Sequence, residues 1–469
     1  MSSHNTCSVF SIGVDYIYLD MSFVVVNSIS ATTPSTLPAS STPSMGAALG
    51  TTMGAAMDAA IETCYINRLP IELLAAILEE HSVLELHAPF IDSQVCRRWH
   101  EATQLWPRVW SYITIRSVTQ HKMPINRFKL ILKRSRDSPL HVNLEYPYFD
   151  TVQEYSAIML FQRPTIARIQ VLLLKGRLPR EIREMEGMPN LRVLQLIECD
   201  WGGTIKFLLH AKSFPLLDKL VVHHMGLLPR VAPRAPIRLR TISFCYVEHL
   251  EWVKILSECR ETLVEVYLWG CRLPPPAQIY LPNLKFLVLS NMLNFRNEII
   301  APGLVTFHEH LEHLAPLKLP FTFSSITEYA CQMTSPSIGD EPLLAERVLP
   351  ELERFVMWGT WSGIREVLRG MVSHLHAVPK LNTIELATDN GANLSDTQWA
   401  ELEKLVVHTP LSSILKRRTD SRVYYAGLCF PLVCGSSVIA IHILMPLLET
   451  LVSHQSLNSI TSILVTRLI

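Results

Sequence analysis

Residues Leu281–Leu289 read LPNLKFLVL, with Leu284, Leu287 and Leu289 in the order L-x-x-L-x-L. Residues two apart on a strand share a face, so Leu287 and Leu289 point one way while Phe286 and Val288 point the other. The same template returns as LRVLQL from Leu191 and LVEVYL from Leu263, with looser copies IQVLLL from Ile169, LDKLVV from Leu217, LRTISF from Leu239, LERFVM from Leu352 and LNTIEL from Leu381. Successive starts from Ile169 to Leu284 lie 22, 26, 22, 24 and 21 residues apart. Several copies follow a proline plus one residue, as in MPNLRVL, LPELERF and VPKLNTI, which is turn punctuation ahead of a strand.

A template of this kind at a period of about 20–29 residues is the signature of leucine-rich repeats. A short strand with leucine at alternate positions buries only one side. Stacking each unit on the next makes that burial continuous and leaves the other face of a parallel sheet open for binding. The pattern therefore predicts that Val193, Gln195, Lys219, Val221, Glu265, Tyr267, Phe286, Val288, Arg354 and Val356 point outward, with Trp269 and Trp358 at the adjoining edge. Tyr267, Trp269, Phe286 and Trp358 are candidate anchors for a protein substrate, because interfaces concentrate energy in aromatic positions; the competing reading places these rings in the core. GTIKFLLHAKSFP and LEWVKILSECRETL have helical spacing and are expected to cover the back of the sheet. From Ala301 to Glu346 the signal decays, GLVTFHEHLEHL and SSITEYACQM fitting weakly and SPSIGDEP reading as an inserted loop.

The whole chain has 469 residues, too many for one ordinary compact core, and so calls for several domains or an elongated array. Its 42 Lys plus Arg balance 42 Asp plus Glu, so there is no basic excess to neutralise phosphates, and nucleic acid is not an expected partner. Ten scattered cysteines without a CxxC pair read as reduced thiols. No dinucleotide, phosphate-loop or nucleophile-elbow motif is present. The stretch HEHLEH, His308 to His313, has Glu312 where a zinc helix needs its second histidine, so it reads as a surface helix with solvated histidines. No enzyme activity, metal or cofactor is expected.

Ahead of the repeats, the first twenty residues lack a secretory signal, residues 27–60 are rich in Ser, Thr, Ala, Pro and Gly, and residues 1–60 read as a disordered leader. Next comes INRLPIELLAAILEEHSVLELHAPFIDSQVCRRWHEATQLWPRVWSYITI, Ile66 to Ile115. Pro70 suits a first helical turn, and Leu73, Leu74, Ile77 and Leu78 then recur at threes and fours. Asp92 or Ser93 is expected to cap a second long helix with Ile91, Val95, Trp99 and Ala102 on one stripe and Arg97 and Arg98 solvated. So small a unit cannot bury Trp99, Trp106 and Trp110 by itself. Trp106 and Trp110 are expected to join it to the solenoid.

The blocks LPIELLAAIL, VCRRWHEAT and WPRVWSYITI together resemble an F-box, in the form common among fungal F-box-like proteins, over about a tenth of the chain. The resemblance implies a small helical module that docks on a Skp-type adaptor and through it on a cullin, as part of an SCF ubiquitin ligase. Carried onto this sequence, it implies Leu69, Pro70, Leu73, Ile77, Val95, Cys96 and Trp99 as the adaptor-facing surface. The expected architecture is an α/β solenoid: an F-box-like helical module at 61–115, then a leucine-rich-repeat horseshoe of degenerate repeats at 116–410. A hydrophobic segment at 411–469 completes the chain. Within that segment Val423–Leu448 carries no Asp, Glu, Lys or Arg, long enough for a membrane span after Lys416, Arg417 and Arg418, although Pro431, Pro446 and His442 interrupt it; a buried terminal repeat, or non-native sequence from a wrongly predicted terminal exon, is the competing reading. Two functional classes follow: a cytoplasmic or nuclear ligase subunit that binds a protein substrate, or a repeat scaffold, tail-anchored in a membrane or not, whose helices are a cap.

Overall fold

The computed structural model describes residues 69 to 417, apart from 85–86, 117–123, 147–157, 178–186, 201–207, 226–229, 232–236, 248–250, 272–277, 291–297, 312–324, 334–348 and 389–393. The leader and Val423–Leu448 lie outside them. All described residues belong to one compact unit.

The chain enters through α1 (Ile71–Leu84), α2 (Ala88–Asp92), α3 (Arg97–Leu105) and a 3-10 turn, Pro107–Trp110. It then builds one sheet of thirteen strands, all parallel and stacked in chain order. The strands are β1 (Tyr112–Arg116), β2 (Leu140–Tyr146), β3 (Ile169–Arg177), β4 (Val193–Asp200), β5 (Lys219–His223), β6 (Thr241–Cys245) and β7 (Glu265–Trp269). They continue as β8 (Phe286–Ser290), β9 (Thr306–Leu311), β10 (Glu328–Met333), β11 (Arg354–Gly359), β12 (Thr383–Thr388) and β13 (Leu415–Arg417). Parallel neighbours cannot be joined by a tight hairpin, and this is why each turn of the array needs some twenty residues or more to return to the same edge.

Register places the leucines of the template side by side. Leu172, Leu194, Leu220, Ile242, Val266 and Leu287 pair in sequence, and all are essentially solvent-free. Their spacings are those of the repeat starts. Behind the sheet, α6 (Glu251–Cys259) buries Trp252, Ile255, Leu256 and Cys259, and α7 (Trp361–Ser373) buries Ile364, Val367, Leu368 and Met371, both at helical spacing. A capping box between Ser395 and Gln398 opens α8 (Asp396–Val406). Two further helices, α4 (Ile125–Arg134) and α5 (Arg163–Ile166), fill the early turns.

Three expectations change. The stretch GTIKFLL is not a helix where it is described: Leu208–Leu209 is extended and pairs with Arg230–Val231. Thr306–Leu311 is strand β9 rather than a solvated helix, since Leu304, Phe307 and Glu309 occupy the template positions and β8 and β10 supply backbone partners on both sides. The expected long helix from Asp92 is broken at residues 93–95. Asp92 does not cap it; its buried carboxylate takes the His81 Nδ1 at 3.0 Å, and Cys96 in extended conformation starts α3. Ile91 and Val95 therefore leave the stripe of Trp99 and Ala102 and stand exposed.

Helices and sheet share one core that runs from Leu74 to Leu411. Trp110 is its largest member at the junction. Its indole N–H donates to the Thr103 carbonyl at 2.7 Å, Phe90 meets it edge-on at 5.1 Å, and the Arg134 guanidinium lies 4.5 Å over the ring. Tyr112, first residue of the sheet, donates its hydroxyl to Glu79 of α1 at 3.2 Å.

Candidate interaction surfaces

In the helical module, the Arg98 guanidinium donates to the Leu69 carbonyl and brings the LP block beside the VCRRW block across 29 residues. Arg97 is solvated, as expected, and forms an i,i+4 pair with Glu101. Arg98 is half-buried by its bond. Of the residues implied by the resemblance, Pro70, Leu73 and Val95 are exposed, and Leu69, Ile77, Cys96 and Trp99 are half-buried. Leu73, Ile91, Val95 and Leu105 are open to solvent at 46 to 61%. Lone surface leucines are ordinary; four large apolar side chains left in water within one short segment are more than the array shows anywhere of the same length among the described residues.

The face of the sheet opposite the core carries the residues flanking the template leucines. Val221, Val288 and Val356 are closed in by their neighbours yet do not join the main core. Aromatic and imidazole rings then run across the strands: Tyr267 to Phe286 at 5.2 Å, Phe286 to His308 at 5.0 Å, and Trp269 to His310 at 5.6 Å, with Ser290 Oγ 3.0 Å from His310 Nδ1. Tyr267, Trp269 and Phe286 are half-buried, each keeping an accessible edge. Trp358 is on the same face but only 4% exposed, enclosed beside Ala330, Val356 and Ala387 in a small second cluster. That enclosure gives it the core role that the competing reading assigned to it.

Charges follow the rings. Arg354 bonds both oxygens of Glu385 at about 3 Å and reaches Glu328 at 3.3 Å, while His308 Nε2 lies 3.7 Å from Glu328. Burial, and then the Glu265 carboxylate, hold the Tyr267 phenol well above its ordinary value, and burial lowers the Lys219 ammonium. Burial, reinforced by His224, pulls the His223 imidazole down to about 4, so it is neutral at pH 7. Among the described residues no group of three or more His, Cys, Asp or Glu is arranged to hold a metal. Among the same residues no helix is long and apolar enough to cross a membrane.

The position eight residues past the first template leucine completes the pattern. Cys199, eight past Leu191, turns its thiol to the Leu174 carbonyl of the preceding strand at 3.1 Å, and Cys271, eight past Leu263, does the same to Phe244 at 3.5 Å. Burial pushes both thiols up to about 12. Leucine-rich repeats place Asn or Cys there to satisfy a backbone group of the neighbouring turn. The fold is a parallel solenoid of leucine-rich-repeat type. Among solved structures, the leucine-rich repeat domain of APL1 is 14% identical and aligns over 57% of this chain and 91% of that one, with a TM-score of 0.22. A score at that level adds nothing to the assignment, which stands on the chain's own sheet and ladder. No family model matches the chain, and no curated protein matches it.

An exposed ring beside this face escaped the sequence reading. Tyr246, directly after β6, is 40% exposed and bonded to Trp269. It lies beyond the L-x-x-L-x-L window, so only the repeat's later positions, aligned across units, signal it.

Proposed function

We propose that the protein is a substrate-receptor subunit of an SCF-type ubiquitin ligase: its F-box-like helices dock on a Skp-type adaptor, and its repeats hold a protein substrate. The observation that carries this reading is the meeting of the two motif blocks through Arg98 and Leu69, beside apolar side chains left in water at Leu73 and Val95. A partner that covers them gains about 25 cal/mol for each Å² of apolar surface removed from solvent. The chain itself does no chemistry in this role; it raises the local concentration of substrate near the enzymes that transfer ubiquitin. Tyr267, Trp269 and Phe286 supply the aromatic contacts for the substrate. Its place of action is then the cytoplasm or nucleus. The test is co-purification of the full-length chain with a Skp-type adaptor, lost in the Leu69→Ala/Pro70→Ala variant; if the wild-type chain brings down no adaptor, the ligase reading fails.

One observation favours a second reading, a repeat scaffold without a ligase role. Trp110 and Val109 sit in the core of the solenoid itself, so the helices close the first turn of the array whether or not an adaptor binds. An adaptor-free chain that is fully stable and shields Leu73 and Val95 in a homo-oligomer would favour it.

A further inference from the structure

Tyr246 is an exposed ring held in place beside the open side of the sheet. Its backbone is left-handed at φ 50°, with the N–H donated to Trp269 O at 2.7 Å. That turn is part of the array, because Glu198, His224 and Gly270 adopt it at equivalent positions with φ between 48° and 56°. The seat for the ring is particular to this repeat. A Cβ on Gly270 would lie 2.6 Å from the Tyr246 ring, so only glycine leaves room for it. The ring stacks on the His224 imidazole at 4.7 Å, and the phenol oxygen accepts the Trp269 indole N–H at 3.1 Å. An exposed side chain ordinarily loses rotamer freedom when a partner fixes it, and these contacts already restrict this one.

We propose that Tyr246 is a preformed anchor for an arginine- or lysine-bearing segment of the protein bound on the open face, an inference that rests on the reading that this face takes a protein partner. The ring lies between His224 and Gly270, so its exposed edge and its oxygen meet the partner: the oxygen, already an acceptor for Trp269, keeps its own proton to donate to a backbone carbonyl of that segment, whose cation reaches the carboxylates nearby. Charge points the same way. From β4 to β12 the outward positions, together with the exposed Glu198, carry four carboxylates (Glu198, Glu265, Glu328 and Glu385) against two cations (Lys219 and Arg354), in a chain whose formal net charge is zero. Glu198 stands two strands from Tyr246 at the same level, roughly 10 Å away, a span that one arginine side chain and its backbone cover.

The experiment selects a phage-displayed random dodecapeptide library on the full-length chain and measures the affinity of the synthesised winners. The winners are expected to hold more Arg and Lys than Asp and Glu. Tyr246→Ala is expected to weaken them about tenfold, Gly270→Ala by a similar factor because its methyl displaces the ring, and Tyr246→Phe by about two- to threefold. The phenylalanine variant keeps the packing, so it decides the matter if thermal melts show the alanine variant unfolded. Winners that are acidic, or that bind equally well to Tyr246→Ala and Gly270→Ala while losing affinity on Tyr267→Ala or Phe286→Ala, overturn the anchor and leave the open-face reading intact. A selection with no winner, or winners insensitive to all these changes, sinks both.

Discussion

The helical module and the repeat array treat apolar surface in opposite ways. In the array every template position from β3 to β8 is closed by the strand on either side, and Leu194, Leu220, Ile242, Val266 and Leu268 have no exposure. The module closes only the side that faces the sheet, through Leu74, Leu78, Ala102 and Trp110, and leaves Leu73, Ile91, Val95 and Leu105 in water. A repeat always has another repeat to bury its face. Among the described residues the three helices at the end of the stack pack against the array on one side, and the other side needs a partner or is tolerated as exposed.

The join between the two regions is the place to break this contrast first. Trp110→Ala removes the side chain that binds helices to sheet and is expected to cost about 3–5 kcal/mol by urea denaturation. A loss below about 1 kcal/mol, with the array's transition unchanged, would mean that the module packs on the array without sharing its core. A second test probes a buried carboxylate among the array's leucines. In the row that runs Leu268, Leu289, Glu309, Cys331 and Met357, Glu309 is 1% exposed and accepts the Tyr329 hydroxyl. Tyr329→Phe is expected to destabilise by about 1–3 kcal/mol, and adding Glu309→Leu to recover most of it, because a buried acceptor deprived of its donor costs more than an apolar pair. Equal stability of single and double variants would refute that pairing.

A third test uses pH on the open face. The His223 imidazole is held down to about 4, against about 6.5 in an unfolded chain. Its neutral form contributes stability that is complete above pH 6.5 and is lost as pH falls toward 4. His223→Gln is therefore expected to lose roughly 1–2 kcal/mol less than the parent chain between pH 7 and pH 4.5. Parallel stability curves for the two proteins would exclude His223 as the source. The smallest stability effect belongs to the module's exposed side: Leu73→Gln and Val95→Gln are expected to stay within about 0.5 kcal/mol of the parent. If either lowers the melting temperature substantially, that surface is already covered within the chain, and the contrast between the regions dissolves.

Much of the array was legible because its periods are physical. The spacing of 22, 26, 22, 24 and 21 residues recurs in the strand pairings from Leu172 to Leu287, and alternation told inward from outward on each strand. Legibility failed where a local pattern had two solutions. HEHLEH reads as a helix until a tyrosine on the next strand is known to satisfy the glutamate, and DSQVCRRW reads as one helix until Asp92 is known to be engaged by His81. Of the aromatic candidates, Tyr267, Trp269 and Phe286 fall together on the face, while Trp358 is sealed against Ala330 and Ala387. Tyr246 was missed because its importance lies in Gly270, Trp269 and His224, none of which is near it on its own strand.

By itself the sequence determined the repeat, the hand of each strand's faces and the separate character of the first helices, since these depend on periodicity and punctuation within a few residues. Only the tertiary structure decided which exposed rings are held in place, where a charged residue replaces a leucine in the core, and that helices and sheet share one interior. Those outcomes depend on side chains twenty or more residues apart meeting across neighbouring turns, and no local pattern records which neighbour will supply the missing atom.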